Sequence, residues 1–309
     1  MKALLAKTYR QFFRHERWNI GIVHEPISAF LRPGGEHTVY WVPQAGTGKY
    51  LADPFGIQKD RTVHILCEEF DYQTSKGRIV SLELGHDRVF SRPKIAMEFP
   101  YHASYPYLFQ HDGEIFCIPE TAQAGEISLY KSTHFPSGWK RVATIIDGFA
   151  GRDATAFRHE GRWWLTCAGE GDDSFRTLFV WYSHDLYGPW KAHQANPVKK
   201  DIGSSRPAGT PFVHEGHLYR PGQDSSRTYG GRIIINRVTK LTPTEFKEEE
   251  AAVIEPNSDG PYPDGIHTIS SVGDATLLDG KRHVFAKVAF EHTLTQAIAV
   301  ARHRGRHET

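Results

Sequence analysis

The chain has 309 residues, 39% hydrophobic and 24% charged, with a net charge of +1. That composition suits a folded protein with a substantial core and excludes a disordered chain, while interspersed charges give no global case for nucleic acid or an anionic membrane. No apolar run of about eighteen residues is present, and "MKALLAKTYRQFFRHERW" is broken by charge every few positions, which argues against a spanning helix and a secretory leader. A cytoplasmic protein without a transmembrane segment is expected. Residues 1–17 read as an N-terminal extension able to form a short helix.

From Trp18 onward the chain repeats. Cys67, Cys117 and Cys167 fall fifty residues apart, a poor disulfide framework but a period expected of propeller blades, each a four-stranded sheet that needs neighbours to bury its faces. First strands are predicted in "ADPFGI", "SYPYLF", "DATAFR", "GTPFVH" and "HTISSV". Turns follow at 60–61, 112–113, 160–161, 215–216 and 279–280, where Asp-Gly and Glu-Gly are hairpin signals. Second strands read "TVHILCEE", "EIFCIPE", "RWWLTCAGE", "HLYRPGQD" and "RHVFAKV", so the cysteines share one position in three blades. Third strands read "GRIVSLEL", "GEISLYKS", "RTLFVWYS", "GRIIINRV" and "TQAIAVARH". Fourth strands lie near "PKIAMEF", "WKRVATII", "PWKAH" and "FKEEEAAVI". The missing fifth outer strand is expected from "WNIGIV", Trp18 to Val23, closing the ring and leaving no open edge. Residues 18–309 are therefore predicted to form one all-β domain, a five-bladed β-propeller.

First strands line a propeller's channel, and the start of each lies beside the end of the second strand. One rim then collects Asp53 with Glu68 and Glu69, Tyr105 with Glu120, Asp153 with Glu170, Arg206 with Gln223 and Asp224, and His267 with Lys287, with His102 and Arg152 at hand. His111, His159 and His214 fall in hairpin tips on the opposite rim. Several acids near one axis are costly to bury unless paired, hydrogen-bonded or used. Carboxylates, an arginine and aromatics such as Tyr105, Tyr219 and Trp163 suit a polyhydroxylated ligand. The loops "NPVKKDIGSS" and "EPNSDGPYPDG" are expected to wall that site.

The ordered segments "YLADPFG", "EEFDYQTSKGRIV", "PYHASYPYLFQHDGEIFCIPET", "DATAFRHEGRWWL", "GPWKAHQANPV", "SRPAGTPFVHEGHLYRPGQDSSRTYG" and "LTPTEF" resemble the N-terminal domain of glucosamine inositolphosphorylceramide transferase and its bacterial relatives, over nearly the whole chain from Trp18. More distantly the chain is similar to the five-bladed glycoside hydrolases of families 32, 43, 62 and 68. That resemblance implies Asp53 as base or nucleophile and Asp153 as the residue that holds the sugar and tunes the acid. The glutamic acid of those families at the start of blade four is here Arg206, which cannot donate a proton near neutral pH; Glu120 and Glu170 are the substitutes. Glu69, His102, Tyr105, Arg152, Arg206, Gln223, Asp224, His267 and Lys287 are the expected ligand contacts. His267 opens blade five, where family 43 enzymes hold a central calcium ion through histidine and water; no other cofactor is required. The expected ligand is a sugar or glycoconjugate, including one with an anionic group that Arg206 would suit. Two readings stay open: an enzyme acting on a glycosidic linkage by hydrolysis or transfer, and a non-catalytic glycan or glycolipid-headgroup domain working beside a glycosyltransferase in cell-surface glycan synthesis.

Overall fold

The structure is a computed structural model that describes residues 14–295 apart from 33, 45, 47 and 86. The chain opens with β1 (His15–Val23) and β2 (Tyr40–Trp41) and then builds four blades in succession. Blade one is β3 (Lys49–Lys59), β4 (Thr62–Asp71), β5 (Lys76–Leu84) and β6 (Lys94–Met97). Blade two is β7 (Ser104–His111), β8 (Glu114–Glu120), β9 (Ile127–His134) and β10 (Ser137–Ile146). Blade three is β11 (Arg152–His159), β12 (Arg162–Ala168), β13 (Thr177–Ser183) and β14 (Lys191–Ala192), with β15 (Lys199–Lys200) also on β13. Blade four is β16 (Phe212–His214), β17 (His217–Asp224), β18 (Arg232–Leu241) and β19 (Phe246–Ile254). The last strands, β20 (Ile269–Val272) and β21 (Ala275–Val284), pair with β1 and β2 in the order β20-β21-β1-β2. Five antiparallel blades result, as the fifty-residue period predicts. Among the described residues no helix is long and apolar enough to cross a membrane.

The repeated "HDG" and "HEG" phrases have a backbone cause. Asp112 and Gly113 have φ of 49° and 77°, Glu160 and Gly161 48° and 75°, and Glu215 and Gly216 50° and 76°. Two successive left-handed residues define the type I′ turn, whose twist matches that of the strands it joins. The three cysteines are unpaired and fully buried between blades, where they act as small apolar fillers.

Blade five departs from expectation. Its hairpin turns at 273–274, not at Asp279-Gly280, and β21 runs straight through the latter pair. There Asp279 is wholly buried, and a Cβ on Gly280 would lie 2.6 Å from Trp41 and 2.8 Å from Tyr262. The dipeptide that reads as a turn is an internal acid beside a glycine packed closely under Trp41 and Tyr262. Consequently "WNIGIV" takes third place rather than outermost, since β1 pairs with β21 along its length. Tyr40–Trp41 supplies the edge. The expected second strand "RHVFAKV" ends at Val284, and residues 287–295 are helical. Most of "TQAIAVARH" lies outside the described residues. So does most of the expected N-terminal helix, and Glu16 and Arg17 already belong to β1.

Three inner strands carry the same distortion, a register shift of one residue at Ala52/Phe55, Ser104/Tyr107 and Arg152/Thr155. Asp53, Tyr105 and Asp153 occupy these bulges with φ of 53°, 41° and 53°. Left-handed backbone is strained for such residues, and bulges re-aim side chains where function or packing requires it. Tyr105 shows what such a bulge can hold together. Its hydroxyl bonds to Thr155 Oγ1 at 2.9 Å and accepts from the Gly209 N–H at 2.8 Å, tying blades two, three and four. Replacing that buried hydroxyl by Tyr105→Phe leaves two partners unsatisfied, and an unfolding free energy lower by about 1–3 kcal/mol is expected. The check is a lower urea midpoint at unchanged m-value; an unaltered midpoint contradicts it.

Candidate functional site

At the rim where these bulges open, a cavity of about 220 Å³ is lined by Tyr50, Asp53, Glu68, Phe70, His102, Ser104, Glu120, Arg152, Phe175, Arg206 and Tyr229. Residues from four blades meet there, together with the 3-10 turn Gly171–Phe175. Every acid near the floor is at least nine-tenths buried, so its partners decide its charge state.

Asp153 lies beneath the cavity and is held by Arg206, with Nε to Oδ2 at 2.5 Å and Nη2 to Oδ1 at 3.2 Å. Gln223 Nε2 adds a third bond at 2.8 Å. Burial alone would push the Asp153 pKa up, but the guanidinium outweighs it and the net shift is downward, so this carboxylate is ionised. Glu120 accepts from Arg152 Nη1 at 3.1 Å and lies 3.7 Å from Arg206 Nη2. Burial, reinforced by the charge of Asp153, pushes Glu120 up to about 8. Facing the ionised Asp153 in a desolvated setting, Glu120 is the carboxyl that keeps its proton.

Asp53 accepts from Thr268 Oγ1 at 2.6 Å and from the Tyr105 N–H at 3.2 Å. Burial raises its pKa to about 6, and His267 opposes that rise. His267 Nδ1 lies 2.6 Å from Asp279 Oδ2 and its Nε2 lies 3.5 Å from Asp53 Oδ1. Although burial disfavours the imidazolium, Asp279 and Asp53 raise its pKa overall. The ring stacks on Trp18 at 3.9 Å, and the buried Lys281 ammonium sits 5.1 Å over the same indole. Lys281 also donates to Glu16 at 3.1 Å and to the Tyr229 carbonyl, fixing the loop that carries Tyr229 onto the cavity wall.

Asp53, His267 and Asp279 bring their ligand atoms within 4.8 Å of one another. The donor set does not fit calcium. Asp279 Oδ1 accepts from the N–H groups of His267 and Thr268, Asp279 Oδ2 accepts from Asp53 N–H, and both Asp53 oxygens are engaged. Calcium asks for six to eight oxygens, and the two carboxylates here offer at most four, most of them already accepting hydrogen bonds.

The predicted residues divide accordingly. Asp53, Glu120, His102, Arg152 and Arg206 line the cavity, while Asp153, Gln223 and His267 stand directly behind it. Glu170 does not reach it: the strand ends at Ala168, and Glu170 is exposed, accepting from the Ala150 N–H at 2.6 Å. Glu69 points to the other face, paired with Arg78 at 2.7 Å, and its neighbour Glu68 occupies the wall instead. Tyr105 is wholly buried in the scaffold. Asp224 pairs with Arg232 at 2.7 Å, and Lys287 is 81% exposed on the C-terminal helix. Of the expected aromatics, Trp163 packs against His111 and Phe109, and Tyr219 stacks on Phe212. The wall is built from Tyr50, Phe70, Phe175 and Tyr229. The "EPNSDGPYPDG" loop borders a separate cavity of about 750 Å³ beside Trp41 and Tyr262, and "NPVKKDIGSS" enters neither.

Two comparisons bear on this arrangement. The family described as glucosamine inositolphosphorylceramide transferase 1, N-terminal, matches residues 38–260. The glucosamine inositolphosphorylceramide transferase 1 of Arabidopsis thaliana is 33% identical over 259 residues, covering 75% of this chain and 34% of that protein. Its counterpart from Oryza sativa subsp. japonica is 34% identical over 206 residues, covering 64% and 27%. The chain thus spans about a third of these relatives or less. Among solved structures, a family 117 glycoside hydrolase of the marine bacterium Zobellia galactanivorans superposes with a TM-score of 0.53 at 11% identity, covering 90% of this chain and 92% of that one. An exo-β-1,3-galactanase of Phanerochaete chrysosporium gives 0.55 at 11% identity, covering 72% and 58%. At such identity the likeness is one of fold.

Because Glu120 titrates near 8 against an ordinary 4.5, and Asp53 near 6 against 3.8, the folded chain keeps protons that the unfolded chain releases. Their stabilising contribution is full below the unfolded pKa values and is lost as pH rises toward about 8. Glu120→Gln should therefore flatten the fall in the urea midpoint between pH 5 and about 8; an equally steep fall in the variant contradicts the assignment.

Proposed function

The chain belongs to the glucosamine inositolphosphorylceramide transferase 1 N-terminal family, and from that footing we propose that its axial cavity binds one sugar residue and acts on the adjoining glycosidic linkage, by hydrolysis or transfer. The observation that carries this reading is a pair of carboxyl groups in one cavity whose pKa values are pushed apart, Asp53 near 6 and Glu120 near 8. At neutral pH one is ionised and the other protonated, which is the division of labour that glycosidic cleavage demands. Glu120 gives its proton to the departing oxygen as the C–O bond breaks. Asp53 either attacks the anomeric carbon or takes the proton of an attacking water. Asp153, bound to Arg206, keeps Glu120 protonated. Arg206 takes the place of the expected blade-four acid, and Glu120 from the end of β8 replaces it.

The cavity lies below the roughly 300–1,000 Å³ of sites for drug-sized ligands, which suits a single ring. Aromatic side chains cover its flank and Arg152 stands at its mouth, 37% exposed and able to meet an anionic substituent. That arginine and the lost blade-four glutamate favour the second reading, a headgroup-binding domain that works beside a glycosyltransferase.

Turnover of aryl glycosides and activated sugar donors separates the two. The enzyme reading predicts a bell-shaped rate that rises through about pH 6 and falls through about pH 8. It also predicts losses of at least about a hundredfold for Asp53→Asn and Glu120→Gln with sugar affinity changed only a few-fold. No turnover from any donor, with sugar still bound, leaves the binding domain.

A further inference from the structure

Glu68 is the one carboxyl on the cavity wall that the acid–base scheme leaves unused. It is buried, and its Oε1 has no hydrogen-bond partner. Its neighbours differ: Asp53 has His267, Glu120 has Arg152, and Asp153 behind them has Arg206. The nearest cationic candidate, His102, is turned away from that role. The Gly77 N–H donates to His102 Nδ1 at 2.9 Å, so in the neutral ring the proton is on Nε2. Burial and the nearby Arg152 charge lower the His102 pKa and keep the ring neutral. Burial, with Asp53 and Glu120, raises that of Glu68 well above its ordinary value.

Glu68 Oε1 and His102 Nε2 stand 3.7 Å apart, too far to bond each other. The gap is built into the chain. A Cβ on Gly77 would lie 2.2 Å from Glu68 Oε1 and 2.6 Å from the Ala103 carbonyl, so only glycine at 77 leaves room for the Glu68 carboxyl beside His102. The stacked rings of Tyr50 and Phe70, 4.9 Å apart, form part of the same wall.

We propose that Glu68 and His102 form a hydroxyl-recognising subsite beside the reacting pair, in which one sugar hydroxyl donates to the Glu68 carboxyl and accepts from His102 Nε2–H. A group that both gives and accepts a hydrogen bond fits between an acceptor and a donor. An ammonium would leave the His102 N–H facing a cation, and a phosphate or carboxylate has no proton to give the Glu68 carboxyl. The inference rests on the sugar-binding reading above and names which residues select among sugars.

Calorimetric affinities for methyl pyranosides of glucose, galactose, mannose and xylose, and for their monodeoxy analogues, test it on the full chain. In the wild type, one deoxy position should cost at least about tenfold in Kd. In Glu68→Met the same deletion should cost less than about twofold, because the site no longer distinguishes the two ligands, while Glu68→Gln, which keeps an acceptor, retains most of the penalty. If Glu68→Met does not fold, His102→Phe removes the opposite half and should erase the same penalty. Equal deoxy penalties in wild type and variants overturn the subsite while leaving sugar binding intact. Failure of every pyranoside to bind the wild type overturns the sugar site and the subsite together.

Discussion

Carboxyl groups buried around one axis repel one another, and the structure near that axis is ordered by what holds them. Arg206 clamps Asp153, Arg152 reaches Glu120, and His267 sits between Asp53 and Asp279. Removing one partner of a buried pair costs several kcal/mol because the remaining charge is left uncompensated. The blades are thus joined by these charges as well as by apolar packing. Asp53 of blade one binds Thr268 of blade five, and Arg206 of blade four binds Asp153 of blade three.

That arrangement separates the proton affinities. Asp153 gives up its proton because the guanidinium is bonded to it, and Glu120 keeps one because it faces the resulting negative charge in a desolvated setting. Asp53 lies between these extremes because the imidazolium offsets part of its burial. The strained bulges at Asp53 and Asp153 serve the same end, since only the left-handed backbone there turns the carboxyls to the axis. Tyr105 spends an identical bulge on a hydroxyl that ties three blades.

Much of this was legible in the residues. Five blades follow from the fifty-residue period and the turn chemistry, four of them with the expected strands, and the strand ends named from the residues include Asp53, Glu120, Asp153 and Arg206, which the structure brings together. Strand ends proved harder to assign by face. One residue of register decides whether Glu68 or Glu69 enters the cavity, and a bulge on the partner strand resets that count. Glu170 occupies the same place in its repeat as Glu120, but Gly169 and Gly171 flank it and the backbone leaves the strand before it. In blade five, Asp279-Gly280 carries the chemistry of a turn, and only tertiary packing of Trp41 and Tyr262 makes it strand. The aromatic wall comes from loop and turn positions, Phe175 and Tyr229, that no periodicity marks.

The proposed chemistry depends on which atoms face the anomeric carbon of a bound sugar. A crystal structure with a bound monosaccharide addresses this most directly. The account predicts the ring in the axial cavity, its anomeric carbon facing the Asp53 carboxylate and its exocyclic oxygen within hydrogen-bond reach of Glu120. A sugar bound only in the cavity beside Trp41 and Tyr262, or one whose anomeric carbon faces away from both carboxyls, would contradict it.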